Sequence, residues 1–148
     1  MNLAGELVSA TMARVEKLQH LQAREWAGAA LVAAVSSTPG RGDTKWATGR
    51  ARGSTWTSNN TPSGYDPGPG RSVYRIPTMG RALFGIRGRK PADDVVLNQG
   101  VPYDWNVEKH HHPITTGHRV GLAELRDRNA DHIRKATAGR KRVVIRLT

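Results

Sequence analysis

The 148-residue sequence contains no cysteine. This absence excludes a disulfide framework, a thiol nucleophile and any zinc site that depends on cysteine ligands. Aromatic residues are also scarce, at 5% of the chain, so each large ring has to fill a core or anchor an interface. No apolar run approaches the roughly 20 residues that cross a bilayer, and no signal peptide is visible. We therefore expect a protein that is made in a cytoplasm and has no membrane partner.

Acidic residues are few relative to basic ones. The chain has 23 Lys and Arg against 12 Asp and Glu, a net charge of +11. Residues 37–92 hold ten cations and two acids, a net charge of +8, and residues 118–148 hold nine and three, a net charge of +6. Such basic segments predict a surface that faces a polyanion, most often nucleic acid. The alternative is a basic surface that only keeps the protein in solution.

Hydrophobic spacing predicts the fold class. Apolar residues recur every three to five positions over 1–36, which indicates one long helix. The segment 44–108 is predicted to be a β-rich body, with its loop at 59–72 and strands over 48–58, 72–77 and 81–88 and from 95 onward. A second helix is predicted over 118–138 and a closing strand over 142–148.

These elements predict one α+β domain spanning 1–148. A long N-terminal helix leads into a small antiparallel β-sheet or sandwich, which a second helix covers, and a C-terminal strand closes the chain. The segment 109–117, which includes three histidines, is predicted to be a loop.

The arginines of the middle segment are the candidates for phosphate contact. If Arg50 and Arg52 share one strand face and Arg87 and Arg89 share another, with Lys90 beside them, they form a single cationic stripe. Such a stripe suits contact with phosphates that does not depend on base sequence. The alternative for Arg50 and Arg52 is that they are held by an acid, either Asp43 or Asp66 of the same chain or an acid of the next subunit. Trp46 and Trp56 either stack on bases or serve as core or interface anchors, and the sequence leaves both open.

The run His110, His111 and His112 is the only candidate for metal chemistry, and it is a weak one. Adjacent side chains rarely point at one metal ion, and no second cluster with ligand spacing appears. No Ser-His-Asp pattern and no paired acid and base stand out. We therefore predict no catalytic residue, no cofactor and no enzyme; a metal-dependent hydrolase that uses these histidines is the remote alternative.

Four short motifs occur in an order that resembles the neck and tail-completion proteins of long-tailed bacteriophages, the lambda-type tail-completion family. After the long helix come Thr38, Pro39, Asp43 and Thr44, then "TGRAR" at 48–52 and Trp56. Asn98, Pro102, Tyr103 and Glu108 follow, and "ITTGHRVGLAELRDRNADHIRKA" leads with its glycine into the last helix. The resemblance covers roughly residues 20–137. It is broken by the insertion at 45–47, by "KHHH" in place of a glycine, and by the strand predicted at the C-terminus.

The resemblance implies a non-enzymatic ring subunit at the head-to-tail junction of a virion. Such a ring has six- or twelvefold symmetry, attaches the tail to the DNA-filled capsid and surrounds the DNA channel. The implied partners are other copies of the chain, head-closure or adaptor proteins, tail-terminator or tail-tube proteins, and double-stranded DNA without sequence preference. The expected location is the virion neck or tail, after assembly in the cytoplasm of a host bacterium.

In this interpretation, apolar residues of the long helix and exposed tryptophans contact neighbouring subunits. The interface candidates are Leu7, Val15, Leu18, Trp26, Trp46 and Trp105. Two alternatives stay open: a stand-alone basic protein that binds nucleic acid, and a tail-terminator ring subunit.

Overall fold

A computed structural model describes residues 2–62 and 64–138. In chain order the elements are α1 (Leu3–Ser37), α2 (Arg50–Gly53), β1 (Thr55–Asn59), α3 (Met79–Gly85), β2 (Val95–Gln99), α4 (Asp104–His111) and α5 (Pro113–Thr137). The chain is α+β, with a long N-terminal helix and a small antiparallel sheet, as the sequence predicts. The strand predicted over 142–148 lies outside the described residues.

The long helix α1 confirms the prediction for the N-terminal segment. It begins after Asn2, whose side-chain Oδ1 accepts a hydrogen bond from the N–H of Gly5 at 2.8 Å, an N-cap that satisfies a free backbone donor. It ends where Pro39 forces the preceding Thr38 into an extended conformation. Within the described ranges, no helix has the length and apolar character that a membrane span requires.

Helices α1 and α5 form an antiparallel pair held together by small residues. A Cβ on Gly117 would lie 2.6 Å from the carbonyl oxygen of Ala30, and one on Gly121 would lie 2.7 Å from the indole of Trp26. Farther along the pair, Gln22 donates to Asn129 at 3.1 Å. The two backbones therefore approach too closely for a larger side chain at either glycine.

The core lies where this helix pair meets the sheet and α3. Strands β1 and β2 pair antiparallel, with Thr55 opposite Gln99 and Thr57 opposite Leu97. Thr57 is buried and its hydroxyl donates to the carbonyl of Ala82 at 2.8 Å, which joins β1 to α3. The main buried apolar cluster consists of Ala27, Ala30, Leu31, Ala34, Val35, Ala82, Ile86 and Leu97.

Several predicted strands of the segment 44–108 are wrong. The segment 81–88 is largely the helix α3, because Ala82 and Ile86, four residues apart, are both buried and this helical period outweighs the apparent alternation. Residues 72–77 form no strand, and the strand predicted over 48–58 is confirmed only from Thr55 onward. The strand predicted from 95 is confirmed as β2. In the described part of the chain, β1 and β2 are the only strands.

The end of the predicted β-rich body, up to 108, and the predicted loop at 109–117 are also wrong, since α4 and the first turn of α5 occupy them. Pro113 begins α5, where its fixed φ suits the first helical turn. The Glu108 carboxylate accepts hydrogen bonds from the backbone N–H groups of Ile114 at 2.8 Å and Thr115 at 3.0 Å, and from the Thr115 hydroxyl. Burial raises the pKa of Glu108, but these hydrogen bonds outweigh it and bring the pKa below the ordinary value of 4.5.

Candidate functional site

Arg50 forms a two-pronged ion pair with a loop aspartate. Its Nε lies 2.9 Å from Oδ1 of Asp66, and its Nη2 lies 2.5 Å from Oδ2. The same carboxylate accepts from the N–H of Gly68 at 3.0 Å. The hydrogen bonds between the two side chains raise the pKa of Arg50 and lower the pKa of Asp66. Arg50 thus fixes the loop 59–72 to α2 through a bidentate contact.

Arg52 ties the end of α1 to α2. Its Nε and Nη2 donate to the carbonyl of Thr38 at 2.8 and 2.6 Å, and its Nη2 lies 3.4 Å from Oδ2 of Asp43. Asp43 also accepts from the N–H of Gly40 at 2.6 Å. These contacts close the turn that follows α1.

The prediction that Arg50 and Arg52 share a strand face is therefore wrong, because both lie in the short helix α2. Their side chains are only 17% and 23% exposed, and both guanidinium groups hold other parts of the same chain. Any contact that they make with phosphate remains a prediction.

The second predicted set follows α3. The Arg87 guanidinium stacks on the ring of Phe84 at 4.6 Å, and Arg89 donates to the carbonyl of Pro91 at 3.1 Å. Arg87 and Lys90 are exposed, whereas Arg89 is half-buried. Arg89 lines a cleft of about 400 Å³ beside α1, whereas Arg50 lines a different cleft. No described strand carries either set, so the predicted stripe along two strand faces does not form.

A cleft with a volume of about 830 Å³ contains three aromatic residues, Trp46, Tyr74 and Tyr103. The Arg50 guanidinium lies 5.7 Å from the Tyr103 ring, and the Tyr74 hydroxyl donates to the carbonyl of Gly68 at 2.7 Å. Burial raises the pKa of Tyr103. A cleft of this size, with aromatic walls and polar side chains between them, is typical of a site for a small molecule or a protruding side chain.

The three histidines lie at the end of α4. His110 and His111 line the aromatic cleft, with their ring centroids 6.5 Å apart. His112 ends α4 in the left-handed conformation, at φ 51°. Within residues 2–62 and 64–138, no group of three or more histidine or acidic side chains is placed so that it could hold a metal ion.

The tryptophans divide into packed and exposed pairs. Trp56 and Trp26 are half-buried: Arg81 lies 4.2 Å from the Trp56 ring, and Trp26 packs against the core and lies 5.9 Å from His118. In contrast, Trp46 is 82% exposed and Trp105 is 67% exposed. Of the tryptophans predicted to lie in subunit interfaces, Trp46 and Trp105 are therefore the two whose side chains are exposed and accessible to a partner.

The other interface candidates lie on α1. Val15 is 45% exposed and continues a stripe with Val8 and Met12, which are 63% and 57% exposed. Leu7 and Leu18 are half-buried. The N-terminal half of α1 thus presents apolar side chains to solvent.

Three residues of the site take roles that the predicted elements do not give. Asp66, one of the two acids considered as partners of Arg50 and Arg52, lies in the predicted loop, where an aspartate before Pro-Gly is a signal for a side chain that bonds its own turn. Tyr74 lies in the segment predicted as a strand over 72–77. The Arg81 guanidinium lies 4.2 Å from the ring centroids of both Trp56 and Tyr65. The rings of Trp56 and Tyr65 also contact each other, with their centroids 5.3 Å apart, so Arg81 lies against both rings of a packed pair. This contact depends on α3 being a helix, which the predicted strand concealed.

Comparison with protein-family models, with curated proteins and with solved structures found no match for the chain.

Proposed function

We propose that the protein is a structural subunit of the head-to-tail connector of a tailed bacteriophage or phage-like particle. In this proposal it forms the neck or tail-completion ring, joins the tail to the DNA-filled capsid and surrounds the DNA channel. It has no catalytic role. It acts in the virion after assembly in the cytoplasm of the host bacterium.

The observation that carries the proposal is the position of the motif residues on which the resemblance depends. They are scattered over 38–108, yet they form the contacts that shape one region. Arg52 bonds Thr38 and approaches Asp43, and Arg50 lies over Tyr103. Glu108 caps the helix α5 that follows. Motifs that act together in this way support a family resemblance better than isolated matches do.

The exposed apolar side chains support a role in assembly. A ring subunit needs surfaces for its neighbours, and large apolar side chains exposed on α1 and α4 provide them. The proposed partners are other copies of the chain, in a ring of six or twelve, with head-closure or adaptor proteins on one side and tail-terminator or tail-tube proteins on the other.

The charge supports a passive contact with DNA. The net charge of +11 and the exposed Arg87 and Lys90 suit phosphates of double-stranded DNA passing through a channel, without base recognition. We propose Arg87 and Lys90 as the first residues to test, because Arg50 and Arg52 are held by acids or carbonyls of their own chain.

The proposal is tested by negative-stain images of the purified chain, alone and mixed with the proteins encoded beside it. We expect closed rings in at least one of these samples. A chain that stays monomeric with every neighbour would contradict the proposal.

One observation favours a second function, a stand-alone protein that binds nucleic acid. Trp46 is 82% exposed and has the Lys45 ammonium 5.1 Å from its ring, an arrangement that can stack a base beside a phosphate. This function predicts tight binding to free DNA or RNA that weakens steeply with salt. If a single-stranded oligonucleotide is not retained even at low ionic strength, this second function is excluded.

A further inference from the structure

Helix α4 carries two different surfaces on opposite sides. Tyr103, Asn106, Val107, His110 and His111 line the aromatic cleft. At 100° per residue, Trp105 lies about 170° around the helix from the middle of that set. Its indole is 67% exposed. Trp105 therefore projects away from the cleft of its own molecule.

The cleft suits an aromatic side chain rather than an anion. Its walls include the rings of Trp46, Tyr74 and Tyr103, and its volume of about 830 Å³ leaves ample room for an indole. The cation inside it, Arg50, has Nε and Nη2 bonded to Asp66, so an entering phosphate would meet a carboxylate beside the guanidinium. Aromatic rings, in contrast, associate favourably edge to face or offset.

The charges around the two surfaces are complementary. Lys45 and Arg71 adjoin the lining residues Trp46 and Gly70, and neither forms an ion pair within the described ranges. Among the α4 residues that flank Trp105, Asp104 and Glu108 outnumber the cation Lys109; the Glu108 carboxylate also accepts hydrogen bonds from the start of α5. Opposite charges on facing surfaces select partner and orientation and speed up association.

We propose that Trp105 of one copy of the chain enters the cleft formed by Trp46, Tyr74 and Tyr103 of the next copy. This inference rests on the proposed ring, because the contact between Trp105 and the cleft is the one that would join neighbouring subunits of that ring. The two contacting surfaces differ, so the contact runs head to tail, and repeating it closes a ring when the rotation per subunit permits. Each subunit then receives one indole and donates one.

The experiment measures self-association of the full chain by sedimentation velocity and light scattering, for the wild type and for Trp105→Ala and Trp46→Ala. Both indoles are largely exposed, so both variants should keep the wild-type melting temperature. We expect each substitution to weaken the association constant by about 30-fold or more, which is about 2 kcal/mol at 1.4 kcal/mol per factor of ten. Ile133→Ala, an exposed apolar position on α5, is the matched control and should associate like the wild type.

Mixing the two variants gives the sharpest outcome. Trp105→Ala keeps an intact cleft and Trp46→Ala keeps an intact Trp105, so one contact of the wild-type kind can form between them. We expect the mixture to give one-to-one heterodimers and no larger species, whereas each variant alone stays monomeric. Raising the salt concentration should weaken the heterodimer, because exposed charges are screened.

The outcomes separate this contact from the ring proposal. Rings of wild-type size in either variant would overturn the contact and leave the ring intact. A wild-type chain that stays monomeric alone would also overturn the contact. The ring proposal would still stand if rings form once the neighbouring proteins are added. If the wild type associates but the mixture of the two variants does not, the head-to-tail geometry is refuted.

Discussion

The substitution Thr38→Val tests the buried polar junction at the end of α1. Thr38 is fully buried, and its hydroxyl donates to the carbonyl of Ala34 at 2.8 Å. The Thr38 oxygen then accepts from Nε2 of Gln99 at 2.7 Å, and the same amide nitrogen donates to the hydroxyl of Thr55 at 3.1 Å. The Thr38 hydroxyl proton points to the Ala34 carbonyl, and the Thr55 hydroxyl proton points to the Ala51 carbonyl. The two hydroxyl oxygens can therefore only accept from the Gln99 amide nitrogen, which fixes the orientation of that amide.

Valine keeps the shape of threonine and removes only the hydroxyl. One Gln99 amide proton then loses its acceptor inside the protein, whereas the Ala34 carbonyl keeps its bond from the Thr38 N–H at 3.0 Å. A buried donor left unsatisfied costs about 1–3 kcal/mol, and we expect about 2 kcal/mol here. For a domain of this size that lowers the melting temperature by about 4–8 °C.

Thermal and urea unfolding measure this loss. Thr61→Val, at an exposed position, is the matched control and should change the free energy of unfolding by less than about 0.5 kcal/mol. Adding Gln99→Leu should reduce the cost of Thr38→Val, because the orphaned amide is then gone. A Thr38→Val chain as stable as the control would refute the polar junction.

Three further predictions concern the other contacts that hold the fold. Arg81→Met removes the cation that contacts the rings of both Trp56 and Tyr65 and its bond to the carbonyl of Gly53; it should lower the free energy of unfolding by about 1–2 kcal/mol, measured by urea unfolding, and an unchanged midpoint contradicts it. Gly117→Ala places a Cβ 2.6 Å from the Ala30 carbonyl oxygen and should cost about 1–3 kcal/mol. The control Gly80→Ala on α3, where a Cβ makes only an ordinary contact at 3.7 Å with the Thr78 hydroxyl, should be neutral or stabilising; equal melting temperatures would refute the close approach. The lowered pKa of Glu108 means that its contribution is complete above its ordinary pKa and is lost as the pH falls through the lower folded value, so Glu108→Gln should flatten the loss of stability measured below pH 4.5; an unchanged acid slope contradicts it.

The helices at the two ends of the chain were predictable because their periodic signals are long. The cap at Asn2 and the proline after Thr38 set the limits of α1, and both follow from local chemistry. The strand β2 was also predictable, since β-branched residues are concentrated at Val95 and Val96.

The middle of the chain was not predictable to the same degree, because tertiary contacts decide it. α3 has only seven residues, and its helical period rests on two positions that contact α1 and β1. The corner between α4 and α5 depends on Glu108 bonding N–H groups six and seven residues later. A short segment with an ambiguous period takes the conformation that its neighbours allow.

The candidate site was predictable by residue but not by arrangement. The sequence directs attention to Arg50, Arg52, Trp46 and the histidines, and the cleft does include Arg50, Trp46, His110 and His111. Asp66, the partner of Arg50, comes from a loop sixteen residues away. The sequence names Asp66 and Asp43 as possible partners, but no local pattern decides which arginine pairs with which acid. The exposure of Trp105 likewise depends on α4 being a helix.

Deleting the coding sequence from the genome that carries it tests the proposed connector role most directly. Electron microscopy of the resulting particles should show DNA-filled capsids and separate tails, and supplying the wild-type chain should restore joined particles. Joined, infectious particles in the absence of the chain would contradict its role as a connector subunit.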